Sequence, residues 1–264
     1  MKNISTKIII IVFTFFLGIG NVFAINTAKV IPKKDTAYQV PILVYHSFGP
    51  TPIAKESKSK LHYRVTATKF EEQMKYLSTN GYHPISFASY VANLKNENKL
   101  PEKSVVLAFD DGWKSQYQYA IPILEKYNFT ATFFIITSYT DNNYKAYMSW
   151  DDLKDLVAHD FDIESHTKNH PILTKVTAKQ LAIELTESKK ILEEKLKIKV
   201  TTLAYPNYMQ NSTVRSAVKL AGYLGARAGW GSFNNSSLHI YELKSQEVVN
   251  NGNPFFSKRL PDLP

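Results

Sequence analysis

The chain has 264 residues, 44% of them apolar, which is enough to bury a sizeable core in one large domain or two small ones and excludes a disordered or fibrous protein. It contains no cysteine, so it carries no disulfide and no lipid-modified cysteine. The formal charge of +9 is a modest excess with no unbroken basic run and no Arg-rich, aromatic-interleaved stripe; this excludes a nucleic-acid binder and leaves an anionic surface such as a cell envelope as a compatible neighbour.

Residues 1–24 place Lys2 and Lys7 before an apolar run from Ile8 to Leu17, broken only by Thr14, and end in Val22, Phe23 and Ala24. That reads as a secretory signal peptide, because spanning a hydrocarbon core takes about 20 apolar residues. The chain is therefore expected to be exported, to a periplasmic, cell-surface or extracellular location. Loss of the two lysines lowers the charge by two, to +7. Residues 25–39 are polar, contain Pro32 and show no period, as in a lead-in or tether. A single domain is expected over residues 40–264.

Within that domain short apolar runs alternate with amphipathic ones. Strands are expected at 42–46, 105–110, 130–136, 161–165, 201–205 and 223–226, and helices at 68–80, 115–127, 149–158, 177–196 and 211–221. Thr68 with Glu71 and Thr177 with Gln180 fit capping boxes, and Ser149 with Asp152 is a near equivalent. Phe70, Met74 and Leu77 form one apolar stripe, and Leu181, Leu185, Leu192 and Leu196 another; both are core packing. Alternation of this kind is the mark of an α/β fold with a parallel sheet and crossover helices, either barrel-like or an open doubly wound sheet. In both, ligands gather at the carboxyl ends of the strands. His46, Asp110, Asp111, His166 and Tyr205 all fall there.

Those residues are chemically coherent. The apolar run 105–109 ends in Asp110, Asp111 and Gly112, and His166 and His170 follow about fifty residues later. Two imidazoles and one carboxylate satisfy a zinc-type ion, whose catalytic sites keep three protein ligands and one open position. Histidines four apart share one side of a helix or tight turn. Adjacent aspartates point apart along an extended strand, but Gly112 permits a sharp bend, so one acid can ligate while the other addresses a water. His62, His83 and His159 carry no partner signal. Tyr45, Trp113, Trp150, Tyr205 and Trp230 are aromatic candidates for stacking on sugar rings, with Trp113 the best placed because it adjoins the acids.

Ala108 to Gly112 resembles the T-F-D-D-G motif of the polysaccharide deacetylase (NodB-homology) family, and His166 to His170 resembles its H-[ST]-x-x-H motif. The likeness extends over most of residues 40–260. Residues 41–46, 100–106 and 204–206 are most similar to the branch that acts on poly-β-1,6-N-acetylglucosamine. The resemblance implies a distorted (β/α) barrel of about seven strands, with Asp111, His166 and His170 as ligands of a divalent metal, zinc with cobalt or nickel as alternatives, and Asp110 as catalytic base. It also implies a polysaccharide substrate, here an exopolysaccharide; peptidoglycan, chitooligosaccharides and O-acetylated xylan are alternative substrates, and a weakly or non-catalytic carbohydrate-binding protein is the alternative of another class. Two departures stand out in the R-x-P-Y motif of the family, which appears as Ala204, Tyr205, Pro206 and Asn207. The arginine that steadies the base is absent, and Asn207 replaces the tyrosine, leaving its backbone N–H for an oxyanion. The general acid falls to His46, by likeness to the favoured branch, with His239 as the late alternative. Trp113, Tyr205 and Asn207 are the expected substrate contacts.

Overall fold

The computed structural model describes residues 40–49, 63–229, 231 and 235–249. The proposed signal peptide and tether, His62 and Trp230 lie outside them. In chain order the elements are β1 (Ile42–Tyr45), β2 (Ser47–Gly49), β3 (Arg64–Thr66), α1 (Ala67–Thr79), β4 (His83–Ile85), α2 (Phe87–Leu94) and β5 (Ser104–Asp111). A π-helical stretch (Gln116–Ala120) runs into α3 (Ile121–Lys126), followed by β6 (Thr132–Ile135), α4 (Thr137–Asp141), α5 (Trp150–Ala158) and β7 (Asp162–Ser165). The chain continues through α6 (Ala178–Leu196), β8 (Thr202–Ala204), α7 (Ser212–Leu220), β9 (Gly225–Arg227) and β10 (Gln246–Glu247).

Seven strands form one curled sheet in the order β10-β1-β5-β6-β7-β8-β9, with β4 paired to β5 as an eighth member; every described pairing in it is parallel. This is the distorted (β/α) barrel that the sequence implies. Both faces of its strands are covered, which is why they read as continuous apolar runs rather than alternating ones. One face, with Leu43, Tyr45, Leu107, Phe109, Phe133, Ile163 and Leu203, packs against the helices through Phe70, Met74, Leu77, Leu185 and Leu192. The other, with Ile42, Val44, Val106, Ala108, Phe134 and Ala204, encloses Phe87, Tyr90, Val91 and Leu94 of α2 on the inside of the curl. The segment 243–248 bonds to both ends of the sheet. Leu243 exchanges backbone hydrogen bonds with Ala226 and Ala228 beside β9, and Val248 N–H donates to Val44 O of β1.

Local sequence sets most helix starts. The Thr177–Gln180 and Ser149–Asp152 capping boxes both form. At α1 the cap is Thr66, whose side chain accepts from Lys69 N–H, and Thr68 lies inside the helix.

Candidate active site

Register places the site. Neighbouring positions on paired parallel strands share a face, so Val106, Ala108 and Asp110 of β5 stand on the inner face with Phe134 and Glu164. The same parity puts Ile42 and Val44 there and carries His46, just past β1, to that side. On the far side of the curl Ala204 and Arg227 are register partners. The inner face at the carboxyl end of the sheet therefore collects Asp110, His46 and Arg227 over a floor of Phe134, whose ring lies 5.2 Å from the Arg227 guanidinium carbon.

The bend expected at Gly112 begins one residue earlier. Asp111 has φ 73° and Gly112 φ 75°. A left-handed aspartate is a strained conformation of the kind that collects at functional sites. It turns the second carboxylate away from the first and toward the histidines. His166 and His170 sit in a turn, not a helix, with Thr167 at φ 68° and His170 at φ 60°, and their ring centroids are 4.7 Å apart.

Donor atoms from Asp111, His166 and His170 all lie within 4.8 Å of one another. Asp111 Oδ1 is 3.4 Å from His166 Nε2 and 3.6 Å from His170 Nε2. The other oxygen, Oδ2, accepts a hydrogen bond from Trp113 Nε1 at 2.9 Å, which leaves Oδ1 facing the imidazoles. His166 Nδ1–H donates to Ala204 O at 2.9 Å; that fixes the tautomer and frees Nε2 as a lone-pair donor. Burial, seconded by the neighbouring His166, pushes the His170 imidazole down to about 4, so it too offers a lone pair at neutral pH. Burial would raise the Asp111 carboxyl, but attraction to the surrounding imidazoles, His166 first, outweighs this and holds it well below the usual carboxylate range. Two imidazole nitrogens and one carboxylate oxygen are the donor set of a zinc-type ion, and the site fits one; the His166 imidazole, which burial would lower, is raised by the charges of Asp110 and Asp111, and a bound metal would displace that proton from Nε2.

Asp110 is 1% exposed. Arg227 Nη2 reaches both its oxygens, at 2.6 and 2.5 Å, so the arginine absent from the Ala204 position is supplied by the next strand at the same register level. The expectation that Asp110 lacks an arginine partner is thus corrected. His46 Nε2 lies 3.8 Å from Asp110 Oδ2, and its Nδ1 lies 3.4 Å from Glu247 Oε1 of β10. His239 is exposed, pairs with Glu242 at 2.6 Å and does not line the cleft.

The cleft above these groups has a volume of about 910 Å³ and is also bordered by Tyr63, Arg64, Lys145 and Asn207. Trp113 stacks on Tyr147 with centroids 4.5 Å apart. Asn207 is exposed at the rim with φ 53°. Tyr205 lines the cleft, but it is fully buried and its hydroxyl donates to Tyr241 O at 2.9 Å. Tyr45 is likewise core, bonded to Gln73, and Trp150 donates to Asp141. His83 and His159 are exposed and outside the cleft.

Sequence reasoning missed Arg227, Glu247 and Glu184. Glu184 lies within the Leu181–Leu192 stripe of α6, and its carboxylate accepts from the backbone N–H groups of Lys168 and Asn169 and from the Asn169 side chain, pinning the histidine turn. A carboxylate inside an apolar stripe was the available signal.

Residues 97–226 match the sequence model of the polysaccharide deacetylase family. The protein YxkH of Bacillus subtilis (strain 168) is 32% identical over 191 residues, which is 72% of this chain and 64% of that protein, so the chain spans slightly less than two thirds of that relative. The poly-beta-1,6-N-acetyl-D-glucosamine N-deacetylase of Staphylococcus aureus (strain N315) is 27% identical over 216 residues, 77% of this chain and 69% of the relative. The Streptococcus pyogenes deacetylase PplD, solved in complex with acetate, superposes with a TM-score of 0.77 at 25% identity, covering 86% of this chain and all of that one. The matched segment runs from ahead of β5 to the middle of β9, contains both acids and both histidines, and is a polysaccharide deacetylase domain.

Proposed function

We propose that the protein is an exported, metal-dependent hydrolase that removes N-acetyl groups from a β-linked N-acetylglucosamine polysaccharide, poly-β-1,6-N-acetylglucosamine in particular. One observation carries the reading: a three-residue donor set converges beside a buried carboxylate and a histidine that face the same cleft. The substrate rests on the 27% identity with the Staphylococcus aureus enzyme, and export rests on residues 1–24. A basic surface suits association with an anionic envelope.

A divalent ion held by Asp111, His166 and His170, zinc foremost and cobalt or nickel as alternatives, supplies a Lewis acid for the acetyl carbonyl and a water of lowered pKa. Asp110, oriented by Arg227, takes a proton from the water as its oxygen attacks the acetyl carbon. Asn207 lines the cleft, and its backbone N–H is the proposed donor to the developing oxyanion. His46, with Nδ1 toward Glu247, gives its proton from Nε2 to the amide nitrogen as the C–N bond breaks. Acetate and a free amine result. Trp113 holds Asp111 and presents an aromatic edge to the sugar.

Substitution separates these roles. Asp110→Asn is expected to keep its bound metal and lose about 10²- to 10⁴-fold in acetate release. His46→Ala should lose rate comparably, while His239→Ala stays within about twofold of the parent. Unchanged rate in Asp110→Asn overturns the base assignment, and a loss confined to His239→Ala transfers the acid role.

A further inference from the structure

We infer that Gln116 is a positioning residue that sets the spacing between the base Asp110 and the acid His46, an inference that rests on the proposed deacetylase reading. The β1–β5 ladder ends at the pair Tyr45 and Phe109. The next residues on the two strands are His46 and Asp110, and beyond this point the backbone ladder no longer ties them. Gln116 takes over. Its Nε2 donates to His46 O at 2.9 Å and to Asp110 O at 2.6 Å. Both hydrogens of one planar amide are used, so the two carbonyls are fixed relative to each other.

Its placement is deliberate in physical terms. Gln116 is fully buried, so the side chain has no freedom to exchange these partners for water. Two carbonyl acceptors admit only the NH₂ end of the amide, which forces Oε1 to the other side, where it is buried with no hydrogen-bond partner. An orphaned buried acceptor destabilises a fold, and a residue serving packing alone would not carry one. Gln116 is also the first residue of the π-helical stretch Gln116–Ala120, a rare widening of the helix that occurs mostly at functional sites. The preceding Ser115 Oγ accepts from Phe48 N–H at 3.0 Å, so the same turn is tied to β2 as well. The amide touches no reacting atom and acts through the backbones of the two residues that do.

Gln116→Met keeps length and volume and removes both donors; Gln116→Glu keeps the shape and turns donors into acceptors, and is the second variant if the first does not fold. Each is assayed for kcat and KM on the N-acetylglucosamine oligomer that the parent hydrolyses, for thermal unfolding, and by crystallography. The expected result is a kcat lower by about 10- to 100-fold with KM within about threefold, and a His46 Nε2 to Asp110 Oδ2 distance lengthened from 3.8 Å by about 1 Å. A kcat within twofold of the parent overturns the inference. So does an unchanged distance in a variant that merely unfolds at lower temperature. If the parent hydrolyses no acetylated glycan, the deacetylase reading fails, and the crystallographic distance still decides whether Gln116 sets the spacing.

Discussion

Asp110 and Arg227 stand 117 residues apart in the chain and form a buried ion pair with side-chain exposures of 2% and 0%. Removing one partner from such a pair leaves a charge in a medium that solvates it poorly, which costs about 3–5 kcal/mol. Arg227→Met should therefore lower the unfolding free energy by about that amount, and, because Asp110, the proposed base, loses its orientation, reduce kcat/KM about 100-fold. Thermal unfolding and acetate release measured on one preparation check both; a variant within threefold of parental rate contradicts the role given to the arginine. The proposed metal ligands and base were legible because they sit in two short motifs that resemble those of the polysaccharide deacetylase family. Arg227 was not, because its place beside Asp110 depends on the register of β8 against β9, which no local spacing reveals. Glu247 escaped for the same reason, reaching His46 only through the pairing of β10 with β1.

At the level of elements, periodicity located the longer amphipathic helices and the buried strands, and it missed short ones. Helix α2 has only eight residues, buries Phe87, Tyr90, Val91 and Leu94 inside the curl and has no charged residue to mark its other side. Strand β4, with Pro84 at its centre, offered no strand signal either. The start of α2 also carries a pH-dependent device. Phe87 N–H donates to Thr132 Oγ1, Thr132 donates to Asp162 at 2.8 Å, and Asp162 accepts from the Ala88 backbone. Burial pushes the Asp162 carboxyl up from 3.8 to about 6, and burial with the charge of Asp162 raises Glu164, two residues on along the same face. A carboxyl raised on folding contributes stability that is complete below its unfolded value and lost as pH rises through the folded one. The parent should lose stability between pH 4 and pH 6, and Asp162→Asn should lose less over that window. Melting temperatures of both proteins at pH 4, 5, 6 and 7 test this; a constant difference between them contradicts it.

For the molecule as a whole, strand and helix alternation implied a parallel α/β sheet, barrel-like or doubly wound, and the family resemblance implied the barrel, but the way its ends meet was not in the pattern. The polar segment 243–248 carries only a two-residue strand, yet it bonds to β9 and to β1 and so brings Glu247 beside His46. Such closure is set by contacts between distant parts of the chain. Its consequence is that the proposed acid His46, the proposed base Asp110 and the donor set share one cleft, which is the basis of the proposed activity. The most direct test of that activity is acetate release from a defined β-1,6-linked N-acetylglucosamine oligomer, before and after chelation and after zinc, cobalt or nickel is restored. The account predicts release that chelation abolishes and added metal recovers. Release indifferent to the chelator would contradict the metal-dependent mechanism, and no release from this oligomer while a β-1,4-linked glycan or peptidoglycan is deacetylated would contradict the proposed substrate.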